Sequence, residues 1–162
     1  MNNHDATYWI EKLNLKPHPE GGFYAEVYRS GDTLHSDALP GSYSGDRSVV
    51  TSIYFLLRSG DVSKLHILKS DELWFHHSGS PIEVHAITED GTHHSIVLST
   101  DNPQAVIGKN TYFGSRITEE NSYALVSCVV APGFDFDDFE MPPRSELLAL
   151  FPQHTLIIEQ LT

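Results

Sequence analysis

The sequence predicts an all-β domain, an antiparallel sandwich or barrel with short helices at its two ends. Three observations lead there. About eight short runs, apolar or alternating, follow one another between residues 23 and 133, each bounded by Ser, Gly, Asp or Pro. No helical periodicity is interleaved among them, which disfavours a parallel sheet with crossover helices. Helical patterns are confined to the first 16 residues and to the segment after residue 142.

In chain order, Asp5 is placed to cap a first helix, with Tyr8, Trp9, Leu13 and Leu15 as its apolar stripe. Pro17 and Pro19 stop it and Gly21-Gly22 turns the chain. "FYAEVYRS" (23–30) alternates and reads as a strand. "SGDTLHSDALPGSYSGDRS" (30–48) reads as a long surface loop. The runs "SVVTSIYFLLRSG", "VSKLHILK", "ELWFHHSG", "IEVHAITEDG", "HHSIVLST", "TYFGSRI" and "SYALVSCVVAPG" are read as successive strands. In "PPRSELLALFPQHTLIIEQLT", Ser145 is expected to cap a short helix that Pro152 ends, with a second short helix after it. The organisation expected is one domain over 1–162: an N-terminal helix (1–16), a β-barrel (20–132) and a C-terminal helical segment (143–162).

Composition narrows the function classes. With 40% hydrophobic and 20% charged residues the chain is of the globular, not the disordered, type. Ten basic residues against 22 acidic ones give a formal net charge of −12, which argues against nucleic acid and anionic membrane as partners. The lone Cys128 excludes an intrachain disulfide and a thiolate zinc cluster. "MNNHDATYWIEKLNL" lacks a basic start followed by an apolar stretch, and no apolar run reaches the roughly 18 residues of a membrane span, so a cytoplasmic protein is expected.

The chemically densest stretch is "GDVSKLHILKSDELWFHHSG" (60–79), with His66, Glu72, His76 and His77 inside twelve residues. Strand alternation places Val62, Lys64, His66 and Leu68 on one face, and Glu72, Trp74 and His76 together on another. Pairing of the two strands through a bend at Ser70-Asp71 would let His66 and Glu72 converge.

The spacing resembles the first signature of the cupin superfamily: Gly60, five residues, His66-Ile67-Leu68, three residues, Glu72, six residues, Gly79. Every anchor is matched except the second histidine of His-x-His, where Leu68 stands. The second signature is poorly matched, "VIGKNTYFGSRITEEN" offering Gly108 and Asn121 without the proline or histidine. "LKPHPEGGFYAEVYRS", "SIYFLL", "HILKSDELWFHHSG" and "VSCVVAPGFDFDDFEM" extend the resemblance over nearly the whole chain to the uncharacterised domain-of-unknown-function 985 branch. The resemblance implies a cupin jelly-roll β-barrel, RmlC-like, usually a homodimer, with a pocket inside the barrel and no established reaction. Dimerisation is expected to use the aromatic strand "FYAEVYRS".

Three functional readings follow. The cupin metal set carries over as His66 and Glu72 only, two ligands of four, so no cofactor is predicted and a divalent metal is the lesser alternative. A metal-free pocket has His66 or His76 as base, Glu72 to orient it, and Tyr54 or Tyr112 as proton donor, by analogy with sugar-nucleotide epimerases. A pocket that binds a small polar or aromatic metabolite without chemistry would draw on Trp74, Phe23, Tyr54, Tyr112 and Phe134, with Glu20 beside Gly21-Gly22. Arg29, Arg58, Lys64 and Arg116 are the cations available to a ligand. The remaining residues have plainer readings. His18 packs at the barrel rim, His85 faces outward beside Glu83, and His4, His35, His93 and His94 are solvated. Cys128 is a buried apolar residue, and Asp135, Asp137 and Asp138 form a solvated acidic rim around Phe134, Phe136 and Phe139.

Overall fold

A computed structural model describes residues 4–162. Helix α1 (Ala6–Lys12) begins at Asp5, whose carboxylate accepts the Tyr8 N–H at 2.8 Å. It stops well before Pro17: Asn14 takes a left-handed conformation (φ 51°) and turns the chain away. Thirteen strands follow among the described residues. The first half comprises β1 (Lys16–Pro17), β2 (Phe23–Arg29), β3 (Thr33–Leu34), β4 (Arg47–Ser48), β5 (Thr51–Arg58), β6 (Val62–Leu68) and β7 (Asp71–Gly79). The second comprises β8 (Ile82–Ile87), β9 (His93–Leu98), β10 (Gln104–Ile107), β11 (Tyr112–Arg116), β12 (Tyr123–Ala131) and β13 (Phe139–Glu140). Two helices, α2 (Arg144–Leu150) and α3 (Thr155–Gln160), close the chain.

The strands form two facing antiparallel sheets, ordered β1-β2-β5-β12-β7-β10 and β13-β6-β11-β8-β9, with β3-β4 as a separate hairpin. The main core lies between them, where Phe55, Trp74 and Val126 of one sheet meet Val84, Ala86 and Phe113 of the other. Each sheet also buries its outer face. Leu15, Leu56 and Leu125 pack with α1 on the six-stranded sheet, and Leu65 and Ile87 pack under Leu147, Phe151 and Ile158 on the five-stranded one. Burial on both faces explains why runs such as "SIYFLL" show no clean alternation.

Several sequence expectations are corrected. His66 and Glu72 do converge, but β6 and β7 belong to opposite sheets and do not pair; the two side chains approach across the sandwich. The facial pattern of β6 is broken by a register shift opposite Phe113 and Ser115. Ser63, not Val62, is buried beside Glu20, while Lys64 is exposed. Gly114 permits the irregularity, since a Cβ there would stand 2.6 Å from the Ser63 carbonyl oxygen. The segment 30–48 contains the β3–β4 hairpin and a short 3-10 turn (Ser36–Ala38). It is fastened by buried Arg47, which makes a two-pronged ion pair with Asp138 at 2.6 and 2.8 Å. Asp138 is therefore buried and structural rather than part of a solvated rim. Ser145 lies inside α2, whose N-cap position is Pro143. His85 is buried, its Nδ1 3.1 Å from His93 Nε2. Strand β10 was not anticipated. Among the described residues no helix is long and apolar enough to cross a membrane.

Candidate functional site

A cavity of about 220 Å³ opens between the sheets. Strand alternation supplies its walls. Glu72 and Trp74 of β7, Cys128 and Val130 of β12, Ile53 and Phe55 of β5, and Tyr24 and Glu26 of β2 all point inward. Strand β6 adds His66 and Leu68, and the turn before β2 adds His18 and Glu20. Phe134, Phe136 and Phe139, from the segment after β12, complete the aromatic wall. Phe136 is 54% exposed and Arg29 half-exposed, which marks this side as the mouth.

Glu20 is the hub of the polar floor. The turn that carries it depends on Gly21 (φ 116°), where a Cβ would collide with the Val62 carbonyl oxygen. Lys64 N–H donates to the Glu20 carbonyl at 2.9 Å, so the turn is tied to β6. The Glu20 carboxylate accepts the Ser63 hydroxyl at 2.8 Å and lies 3.3 Å from His66 Nε2 and 3.6 Å from His18 Nδ1.

The hydrogen bonds fix the imidazole tautomers. His66 Nδ1 is 2.7 Å from the Lys64 carbonyl oxygen, which can only accept, so Nδ1 carries hydrogen and Nε2 faces Glu20. The Glu20 backbone N–H donates to His18 Nδ1 at 3.2 Å, which leaves the His18 proton on Nε2. Glu20 Oε2 and His66 Nε2 then face each other at 3.3 Å. Burial raises the Glu20 carboxyl above its ordinary range and lowers His66 and His18 below theirs, favouring the neutral acid–imidazole form. Burial also pushes Glu72 up to about 7, against the pull of His66 and with the push of Glu20. Among the described residues Glu72 makes no ion pair, and the Cys128 thiol beside it favours its ionised form. The Trp74 indole N–H also lies close enough to favour that form, yet makes no hydrogen bond of acceptable geometry. An unpaired buried N–H in a cavity wall is uncommon and asks for an acceptor.

The cavity thus brings together His66, Glu72, Trp74, Phe134 and Glu20 of the residues singled out in the sequence. It leaves four outside. Tyr54 and Phe23 point to the opposite face of their strands and pack in the cluster under α1; the Arg58 guanidinium lies 4.7 Å from the Phe23 ring. Tyr112 faces outward against Phe151, ring centroids 5.3 Å apart. His76 follows Trp74 in the alternation, but it sits at an irregularity in the β7–β12 register and its Nε2 meets the Ser80 carbonyl at 3.1 Å. Conversely, His18 is part of the floor and not merely rim packing, and Tyr24, Glu26, Arg29 and Cys128 also line the cavity. The alternation of "FYAEVY" held the signal for Tyr24 and Glu26; the link between His18 and His66 depends on a tertiary contact that no spacing encodes. Of the cations singled out, only Arg29 reaches the cavity. It is held by Glu26 at 2.8 and 3.0 Å and by the Phe134 carbonyl oxygen at 3.1 Å.

The metal set associated with cupins does not fit these residues. Leu68, buried in the cavity wall, stands where a second histidine would ligate. Among the described residues no three His, Cys, Asp or Glu side chains are grouped to hold a metal ion. His66 has one nitrogen on the Lys64 carbonyl and the other against Glu20.

Comparison with known proteins sets the chain in context. The family model described as "Cupin superfamily (DUF985)" matches residues 7–142. A hypothetical protein from Leishmania major has 34% identity and a TM-score of 0.90, covering 98% of this chain and 99% of its own. A protein from Shewanella oneidensis has 38% identity and a TM-score of 0.87, with 98% of each chain covered. Oxalate decarboxylase from Lactobacillus farciminis shares the fold alone: 12% identity, a TM-score of 0.57, and 93% of this chain against 42% of that one. No curated protein matches. Family match, near full-length relatives and jelly-roll sandwich agree: the chain belongs to the cupin superfamily, in its DUF985 branch.

Proposed function

We propose that the protein binds a small polar or aromatic metabolite in the barrel cavity, without a firmly held metal. The observation that carries this reading is the unpaired Trp74 N–H beside the ion-pair-free carboxyl of Glu72, both buried at the floor of an aromatic cavity. Such groups cost stability unless something completes them. Apolar walls with few polar anchors are the usual design of a ligand pocket. At about 220 Å³ the volume suits a single-ring compound and is too small for a sugar nucleotide.

A second reading, acid–base catalysis in the same cavity, is favoured by burial pushing Glu72 up to about 7 and by the Glu20 carboxyl standing 3.3 Å from the His66 imidazole. Its tyrosine would be Tyr24, which lines the cavity, and not Tyr54 or Tyr112. Pairing of two copies and a cytoplasmic location belong to the same proposal. Pairing is supported by β2, whose outer edge is covered by β1 only at Phe23 and Tyr24 and whose Val27 and Tyr28 are exposed.

The test is native mass spectrometry of the full chain after incubation with a metabolite extract. An organic mass increment on the wild type that is lost in His66→Ala and Glu72→Gln is expected. An increment retained unchanged in both variants would refute the site.

A further inference from the structure

The charges inside the cavity are unbalanced, and the imbalance points to the class of ligand. On the floor, Glu20 and His66 stand 3.3 Å apart, and burial favours the uncharged form of each. His18 accepts a hydrogen bond at Nδ1 and is held neutral by burial. Glu72 remains, a carboxyl 7% exposed that makes no ion pair among the described residues. At the mouth, Arg29 faces Glu26 and Asp135. Its Nε and Nη atoms hold the Glu26 carboxylate and the Phe134 carbonyl oxygen, so its charge is already offset by Glu26. Among the described residues no other lysine or arginine lines the cavity. Summed around the wall, every uncompensated group is a carboxyl.

The walls point the same way. Tyr24, Phe55, Trp74, Phe134, Phe136 and Phe139 present aromatic rings. Aromatic faces attract positive charge through the ring quadrupole, most strongly where water is excluded. An anion would meet these faces and two buried carboxyls with no cation to receive it. The unpaired Trp74 N–H fits this scheme as well. It lies beside Glu72 and favours that carboxyl's ionised form, the form a cationic ligand would meet.

Resting on the reading of the cavity as a ligand site, we propose that its ligand is a small organic cation. One protonated nitrogen meets the Glu72 carboxylate, and a flat apolar body lies among Trp74, Phe134 and Phe139. The class is that of aromatic or cyclic amines and amidines. Carboxylic acids and phosphate esters are excluded by the same charges.

Three compounds of one shape and three charges test it: benzamidine (cation), benzamide (neutral) and benzoate (anion), titrated calorimetrically into the full-length protein at neutral to mildly alkaline pH. A charge-assisted hydrogen bond in place of a neutral one predicts that benzamidine binds at least about tenfold more tightly than benzamide, with benzoate weaker than both. Glu72→Gln, which keeps shape and removes the charge, should erase the preference for benzamidine over benzamide. Benzamide or benzoate binding as tightly as benzamidine, or a benzamidine preference that survives Glu72→Gln, overturns the cation proposal and leaves the ligand site standing. No binding by any of the three at millimolar concentration overturns the ligand-site reading itself.

Discussion

Replacing Glu72 by glutamine is expected to stabilise the protein by an amount that grows with pH. The Glu72 carboxyl is 7% exposed and is displaced from 4.5 up to about 7, chiefly by burial. In the unfolded chain it ionises near its ordinary value, so between the two values the native state binds more protons than the unfolded one. Stability carried by the neutral form is therefore complete below about 4.5 and is lost as pH rises through about 7. At about 1.4 kcal/mol per pH unit the loss amounts to about 3 kcal/mol. Glutamine has the same shape and does not ionise, so the variant escapes the loss. Its advantage over the wild type should be about 3 kcal/mol larger at about pH 8 than at about pH 4.5. For a domain of this size that is a widening of the Tm difference by about 6–12 °C. Thermal melts of both proteins across this range provide the assay. A Tm difference that stays constant with pH, or narrows as pH rises, would refute the assignment of Glu72 as an uncompensated buried carboxyl.

Three further outcomes follow from the packing. Arg47→Ala strands the Asp138 carboxylate in a buried position next to the cavity's aromatic segment, and should cost about 3–5 kcal/mol in urea denaturation. Gly21→Ala forces a side chain against the Val62 carbonyl at φ 116°, and should destabilise the fold by more than 1 kcal/mol, roughly, with loss of ligand uptake because Glu20 moves with the turn. Tyr54→Phe alters a ring on the outer face of β5 and should leave ligand uptake by native mass spectrometry unchanged.

The parts of this architecture legible in the sequence are those set by local pattern. The seven-residue and longer runs announce themselves by β-branched and aromatic residues between turn formers, and Asp5 reads correctly as a helix cap. Strand β10, only four residues long, has no such signal beyond "QAVI". Face assignment failed on β6 because a register irregularity, made possible by Gly114 on a distant strand, resets the alternation at Lys64. Burial on both faces of each sheet hid which side of β5 and β11 was interior, so Tyr54 and Tyr112 were grouped with a cavity they turn away from. The Arg47–Asp138 pair joins residues 91 positions apart, and the coupling of His18 and Glu20 to His66 crosses from a turn to a strand. Neither has a local signature. What the spacing did carry was the His66–Glu72 convergence.

The most direct test of the cavity as a binding site is the Trp74 indole resonance. The chain has two tryptophans, and Trp9 already donates its indole N–H to Tyr123 Oη at 2.9 Å under α1, remote from the cavity lining. A proton–nitrogen correlation spectrum therefore holds two indole signals, distinguished by a Trp9→Phe variant. Titration with benzamidine is predicted to move the signal of Trp74, whose ring lines the cavity, while the Trp9 signal stays in place. A Trp74 signal that does not move while binding is saturated would contradict the central claim that ligand enters this cavity.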